Sequence, residues 1–458
     1  MPKKKTALTI EERLQQAMVP AEEQPYEVPE NWVWTYISSG FDVTSSKRVH
    51  KSDWLSEGIP FYRTRELVKL SEQGYVDNEL FISEDLYKTF KKEFGVPQKN
   101  DLLISGVGTI GVPYVISDEK EFYFKDGNVI WLKNKGVFDA SYMYYLYKTV
   151  FIDNQIYSMS AGTTVDTYTI INAKNTIIPL PPLSEQQRIV ERIEELFAKL
   201  DEAKEKLQDV ADSFAVRKAA ILHKAFTGEL TKQWRRKNGV SDESWEEKKL
   251  GEVGVLERGR SKHRPRNDER LFGGIYPFIQ TGDIANADMF IEKHNQTLSD
   301  FGMQQSKLFA KNTICITIAA NIGKVAILSY DSCFPDSVVG LKTDEKTDFK
   351  YVYYYLSTQQ KELESKAPAT AQKNINLKVL NDLDIPLPSL PEQHEIVRLI
   401  DDLLARERAA QQAAEQALAS IDLMKKSILA RAFRGELGTN KASEVSALEL
   451  LRQVLAEN

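Results

Sequence analysis

Apolar residues recur at alternating steps of three and four from Ile189 onward: Ile189, Ile193, Leu196, Leu200, Ala203, Leu207, Val210, Phe214 and Ile221. That spacing is a heptad seam, and it predicts one long helix over 184–226. A second seam runs through Ile396, Ile400, Leu403, Ala410, Ala414, Ala417, Ile421, Met424 and Ile428, richer in alanine and broken by Glu407. Small residues permit close approach, so the two helices are expected to pack on each other as an antiparallel coiled coil. Ser184 with Gln187, and Ser389 with Glu392, have the spacing of capping boxes. Pro179, Pro181 and Pro182 set the first start, and Gly228 and Gly435 fit C-terminal stops. At about 1.5 Å per residue, such a helix is a rod of roughly 65 Å.

The two helices belong to one repeated unit. Ile178–Gln186 (IPLPPLSEQ) recurs 207 positions on as Ile385–Gln393 (IPLPSLPEQ), and the same offset holds at Ala225–Leu230 (AFTGEL) and Ala432–Leu437 (AFRGEL). The segments before the helices repeat more loosely. Asn100–Gly111 (NDLLISGVGTIG) aligns with Asn312–Gly323 (NTICITIAANIG), and Ile59–Thr64 (IPFYRT) with Tyr276–Thr281 (YPFIQT). A period this long is a duplicated domain-plus-helix unit and not a solenoid. The expected fold is therefore α+β: two mixed α/β domains, 26–178 and 240–385, alternating with helices over 179–231 and 386–438, with a pseudo-twofold internal repeat. A short N-terminal extension (1–25) holds the capping box Thr9–Glu12. A C-terminal tail (439–458) reads as a helix capped by Ser443, with Val445, Leu448, Leu451 and Leu455 on one face. A plain dimerisation coil needs one copy per chain, not two gap-free copies each preceded by a globular unit.

Composition narrows the class. The 458 residues are 42% hydrophobic and 28% charged, ordinary for a globular protein of two or three domains. No apolar run has the length of a membrane span, and the basic N-terminus Met1–Lys5 has no apolar core behind it, so a cytoplasmic protein is expected. Cys315 and Cys333 lie near no histidine or cysteine at metal spacing. The net charge of −6 opposes nucleic-acid binding unless the acidic residues lie away from the binding face.

The paired Pro-Leu-Pro-x-Leu-x-Glu-Gln motifs and the order of domain then helix resemble the specificity subunits of type I restriction–modification enzymes, over roughly 28–437. The resemblance implies that each domain recognises one half of a bipartite target in double-stranded DNA. It implies that the helices space the domains and dock two modification (methyltransferase) subunits, which restriction (translocase/nuclease) subunits then join. S-adenosylmethionine, ATP and magnesium would serve those partners, with no cofactor, metal or catalytic residue on this chain. A type IIB-like system with a fused modification–cleavage partner is the near alternative. A coiled-coil scaffold that binds only proteins is the distant one.

Phosphate contacts need Lys and Arg, and base reading needs presented Arg, amide or hydroxyl side chains. The densest segment is Arg258, Arg260, Lys262, Arg264 and Arg266, where Gly259 and Pro265 make a loop. Its weaker counterpart in the first domain is Lys47, Arg48 and Lys51. Arg63 and Arg65 pair in the repeat with Gln280 and Thr281. Thr163 and Thr164 pair with Gln372, Lys373 and Asn374. Thr109, Asn321 and Lys324 complete the candidates. The tyrosine-rich stretches 142–147 and 351–355 read as helix core. Gly106-x-Gly108-x-x-Gly111 copies a dinucleotide fingerprint, but the next segment reads as a strand, not a helix. Pro335-Asp336 with Asp344–Lys346 imitates a nuclease signature of low specificity.

Overall fold

The structure, a computed structural model, describes residues 8–160, 166–241, 243–319, 321–367 and 374–457. The chain forms two compact units, one of Met1–Leu207 with Gln416–Asn458 and one of Gln208–Glu415. Each unit holds one α/β domain, the start of the helix that follows it and the end of the other long helix.

In the first unit, Phe41–Thr44, Val129–Asn134, Leu102–Ser105 and Pro113–Val115 form an antiparallel sheet in that order. A smaller sheet runs Phe81–Ile82, Ile59–Tyr62, Tyr123–Phe124. In the second unit a five-stranded sheet runs Gly254–Arg258, Val338–Thr343, Ile314–Thr317, Val325–Leu328, Phe290–Ile291, beside a four-stranded sheet that includes Phe272–Phe278. Leu102–Ser105 and Ile314–Thr317 are buried at every position, which explains their unbroken apolar runs. Cys315 lies inside the second of these, where burial pushes its thiol well up. Tyr142, Tyr147 and Tyr351 are sealed in the cores.

Each domain is closed by a short antiparallel ladder of its two ends: Val33–Tyr36 on Ile177–Leu180, and Glu246–Lys249 on Asp384–Leu387. The Glu-Gln pair that follows fastens the helix to the domain. Gln186 accepts from the Asp139 N–H at 2.7 Å and donates to Val137 and Pro181. Gln393 does the same with Asp348 (2.8 Å), Lys346 and Pro388. Glu185 accepts from Trp32 Nε1 (2.7 Å) and Asn440 (2.8 Å); Glu392 accepts from Trp245, Thr231 and Arg235, the last at 2.8 Å. All four side chains are buried.

These bonds correct the expected caps. The first helix begins at Leu183 with the Pro182 carbonyl accepting from Glu185 and Gln186, so Ser184 is inside it and caps nothing. Ser389 stands at the cap position, its carbonyl accepting the first helical bonds, but the Glu392 carboxylate is taken by Thr231, Arg235 and Trp245 and is not available for a capping box. The tail helix Ala447–Glu457 is capped by Ser446, not Ser443, and Val445 lies outside it, exposed. Thr9–Glu12 does form its capping box.

The first long helix is also not one piece. It runs Leu183–Asp212 and Phe214–Phe226, broken at Ser213, whereas the second is unbroken over Leu390–Ala432. Arg217 bonds the Val210 carbonyl and the Ser213 hydroxyl at the break and pairs with Glu407. The residue that interrupts the second seam is thus an ion-pair partner of the first helix. Along the seams, Ile189, Ile193, Ile396, Ile400 and Ile421 are buried. Leu196, Leu200, Leu207, Phe214, Ile221 and Ile428 are half-buried. Leu403 is half-buried beside the buried Leu404, and Met424 is 49% exposed. Gly435, at φ 73°, passes so close to Pro29 that a Cβ would sit 2.4 Å from its ring.

Candidate nucleic-acid interface

In the second domain the chain leaves Gly254–Arg258 at Gly259, where a Cβ would lie 2.3 Å from the Pro335 carbonyl. Only glycine permits that approach, and it draws the basic loop onto the segment 334–337. The Arg260 N–H donates to Phe334 and the Lys262 N–H to Gln305. Arg258 Nε donates to the Asp336 carbonyl, and Arg266 pairs with the Asp336 carboxylate at 3.0 Å. Arg264 bonds the carbonyls of Ser261 and His263. Arg258, Arg260, Lys262 and Arg264 are exposed and, among the described residues, have no carboxylate partner. Asp268, bonded by Arg270 and His263, is held far below the usual carboxylate range.

A cavity of about 510 Å³ joins this loop to the second candidate segment. Arg260, His263, Arg266, Gln280, Thr281 and Ser337 line it above an apolar floor that includes Leu271 and Phe278. The topology makes the junction: strand Phe272–Phe278 runs parallel to Ser332–Cys333, so residue 280 emerges beside 334–337.

The first domain converges in the same way on Lys125–Asn128. Ser45 and Ser46 donate to the Val129 and Phe124 carbonyls, the Lys47 N–H donates to Tyr123, and Arg48 pairs with Asp126 at 3.3 Å. Lys47 Nζ lies over the Phe94 ring, and Lys51 is exposed. Thr64 and Gly106 both donate to the Asn128 carbonyl, and a bridge joins Val107 to Thr167. Thr109 is exposed on the glycine turn, which leads into strand Pro113–Val115. In the second domain Asn321, at φ 56°, is exposed on the equivalent turn, Lys324 is half-buried, and Asn374 is exposed where it bridges Ala319. Thr163, Thr164, Gln372 and Lys373 lie outside the described residues.

Arg63 and Arg65 are both paired with carboxylates. Arg63 bonds the buried Glu66 through Nε and Nη2, at 3.0 and 2.7 Å, and Arg65 spans Glu66 and Glu79. Burial would raise the Glu66 carboxyl, but the bonds from Arg63 and Arg65 outweigh it and bring the group down to about 2. Sequence reasoning missed the role of Asp126 and Asp336, each the anchor of an arginine in its loop. The signal was present, since an aspartate stands at the same place in both copies, but it was weighed only as nuclease chemistry. With its carboxylate on Arg266, Asp336 is an arginine anchor. Among the described residues no group of three or more His, Cys, Asp or Glu is placed to hold a metal ion. No described helix is long and apolar enough to cross a membrane.

The family model described as "Type I restriction modification DNA specificity domain" matches residues 29–211 and 242–417. The type I restriction enzyme EcoBI specificity subunit of Escherichia coli is 26% identical, over 92% of this chain and 90% of its own. Two solved structures share the fold. The HsdS subunit from Thermoanaerobacter tengcongensis has a TM-score of 0.67 at 20% identity, covering 90% of this chain and 99% of that one. A chain from work on complex assembly and conformational transition of the type I R-M system has a TM-score of 0.61 at 21% identity, covering 90% and 100%.

Proposed function

The chain belongs to the type I restriction–modification DNA specificity family, and from that premise we propose how its two domains divide the task. It is a specificity subunit, with a DNA-recognition and non-catalytic role among the other subunits of a type I system. In our reading each domain binds one half of a bipartite target in double-stranded DNA. The observation that carries this is the repeated convergence of separate loops around an aspartate-anchored arginine, at Asp126 in one domain and Asp336 in the other. Arg258, Arg260, Lys262 and Arg264 meet phosphates, and the amide and hydroxyl groups beside them meet base edges.

The helices are read as an antiparallel coiled coil that spaces the domains and docks two modification subunits, with restriction subunits joining them. The pairs Asp201–Lys425 in one unit and Arg217–Glu407 in the other support the antiparallel sense. A rod of roughly 65 Å is near two turns of DNA at about 34 Å each. S-adenosylmethionine, ATP and magnesium are assigned to the partners. The test is the affinity of the subunit with its modification partners for duplex DNA as salt is varied. Neutralising Arg258, Arg260 and Arg264 together flattens the salt dependence; an unchanged slope would support a protein-binding scaffold instead.

A further inference from the structure

We propose that Gln280 is the side chain by which the second domain reads an adenine in the major groove, and that Gln296 positions it. The inference rests on the reading that each domain recognises one half-target. Gln280 follows strand Phe272–Phe278 and caps helix Thr281–Asn286, its backbone N–H bonded to Asp283 at 2.8 Å. The strand register sets Phe278 opposite Gln296, which brings Gln296 alongside. Gln280 Nε2 donates to Gln296 Oε1 at 2.6 Å. That bond ties the orientation of the exposed Gln280 amide to that of Gln296. It uses one of the two Nε2 hydrogens and leaves the other, with Oε1, unengaged among the described residues.

A carboxamide offering one N–H and one carbonyl oxygen side by side is the complement of adenine, whose major-groove edge presents the N7 acceptor beside the N6 donor. Guanine presents two acceptors there, so an oriented amide discriminates against it. Arg260, exposed and without a carboxylate partner among the described residues, lines the same cavity as Gln280, which sets a base-reading group next to a phosphate-binding one. The repeat supplies the contrast. Arg63 holds the place of Gln280 in the first domain, and Glu66 that of Asp283, but there the guanidinium is committed to the buried Glu66. The same position is a strut in one domain and a reader in the other.

The experiment uses the complete system in cells and reads the methylated motif genome-wide for the native chain and for Gln280→Ala, Gln280→Arg and Gln296→Ala. Purified complexes are assayed in parallel on duplexes substituted one base at a time, so a variant that methylates poorly is still scored. The half-target of the second domain is the one that changes when that domain is exchanged. Within it, Gln280→Ala is expected to make one A·T position degenerate and to lower cognate affinity about ten- to a hundredfold. Gln280→Arg shifts that position toward G·C. Gln296→Ala relaxes the same position more weakly, because the amide is then free to turn over. A Gln280→Ala complex with native melting temperature and native base preference at every position overturns the inference. A split motif that persists without this chain overturns the half-target reading beneath it.

Discussion

Glu66 and Glu185 are both sealed from solvent, yet their surroundings push their carboxyls in opposite directions. Glu66 sits at about 2, below its ordinary 4.5, so the unfolded chain binds the extra proton between those values. Its contribution to stability is complete above about pH 4.5 and is lost as the pH falls toward 2. Glu185 is raised by burial, against the pull of Trp32, Asn440, Thr439 and Arg188, so here the folded chain binds the extra proton. Its contribution falls as the pH rises through its folded value. Urea midpoints followed from about pH 6 down to pH 3 separate the two. Glu66→Gln weakens the acid-side loss, and Glu185→Gln removes the opposing trend. Glu392, fully buried among Thr231, Arg235 and Trp245, is a third case. Breaking a buried ion pair from one side costs about 3–5 kcal/mol, and Glu392→Ala is expected to fall in that range by denaturant unfolding. The glutamates were legible only as motif letters, since Trp32 and Trp245 lie about 150 residues from their acceptors.

The long helices were readable because a heptad is a local pattern, and the second runs as one unbroken helix over Leu390–Ala432 although Glu407 interrupts its seam. The break at Ser213 was not, because Arg217 bonds the freed Val210 carbonyl while its other arm reaches Glu407, a partner 190 residues away. The caps failed as well. A serine three residues before Glu or Gln is a local signature, but Pro182 starts the first helix ahead of Ser184, and Thr231, Arg235 and Trp245 take the Glu392 carboxylate. The Glu-Gln pair in each motif works across elements, with Gln393 holding the first turn of helix Phe349–Thr358 through its cap Asp348. Gln393→Ala is expected to cost about 1–3 kcal/mol, because the buried bond to Pro388 and the part-buried bonds to Asp348 and Lys346 lose their partner together. Amide exchange at Asp348 and in that first turn is the measurement, and protection equal to the native chain would remove the clamp from the account.

Net charge is −6, so DNA binding depends on where the basic groups stand. Each phosphate contact steepens the dependence of affinity on salt by about 0.9. Neutralising Arg258, Arg260 and Arg264 is therefore expected to reduce the slope by up to about 2.7, while Arg63→Ala chiefly lowers stability because its guanidinium serves Glu66. The charge run was visible in sequence. Its meeting with Gln280 was not, because it depends on the parallel pairing of Phe278 with Cys333. The central claim, two domains that each read one half of a split target, is tested most directly by selection. A duplex library randomised in two blocks at varied separations is offered to the chain with its modification subunits, and the retained sequences are determined. Two short preferred blocks at one fixed separation are expected, and exchange of residues 240–385 for another family member's domain alters one block alone. Retention of a single block, or alteration of both blocks by that exchange, would contradict it.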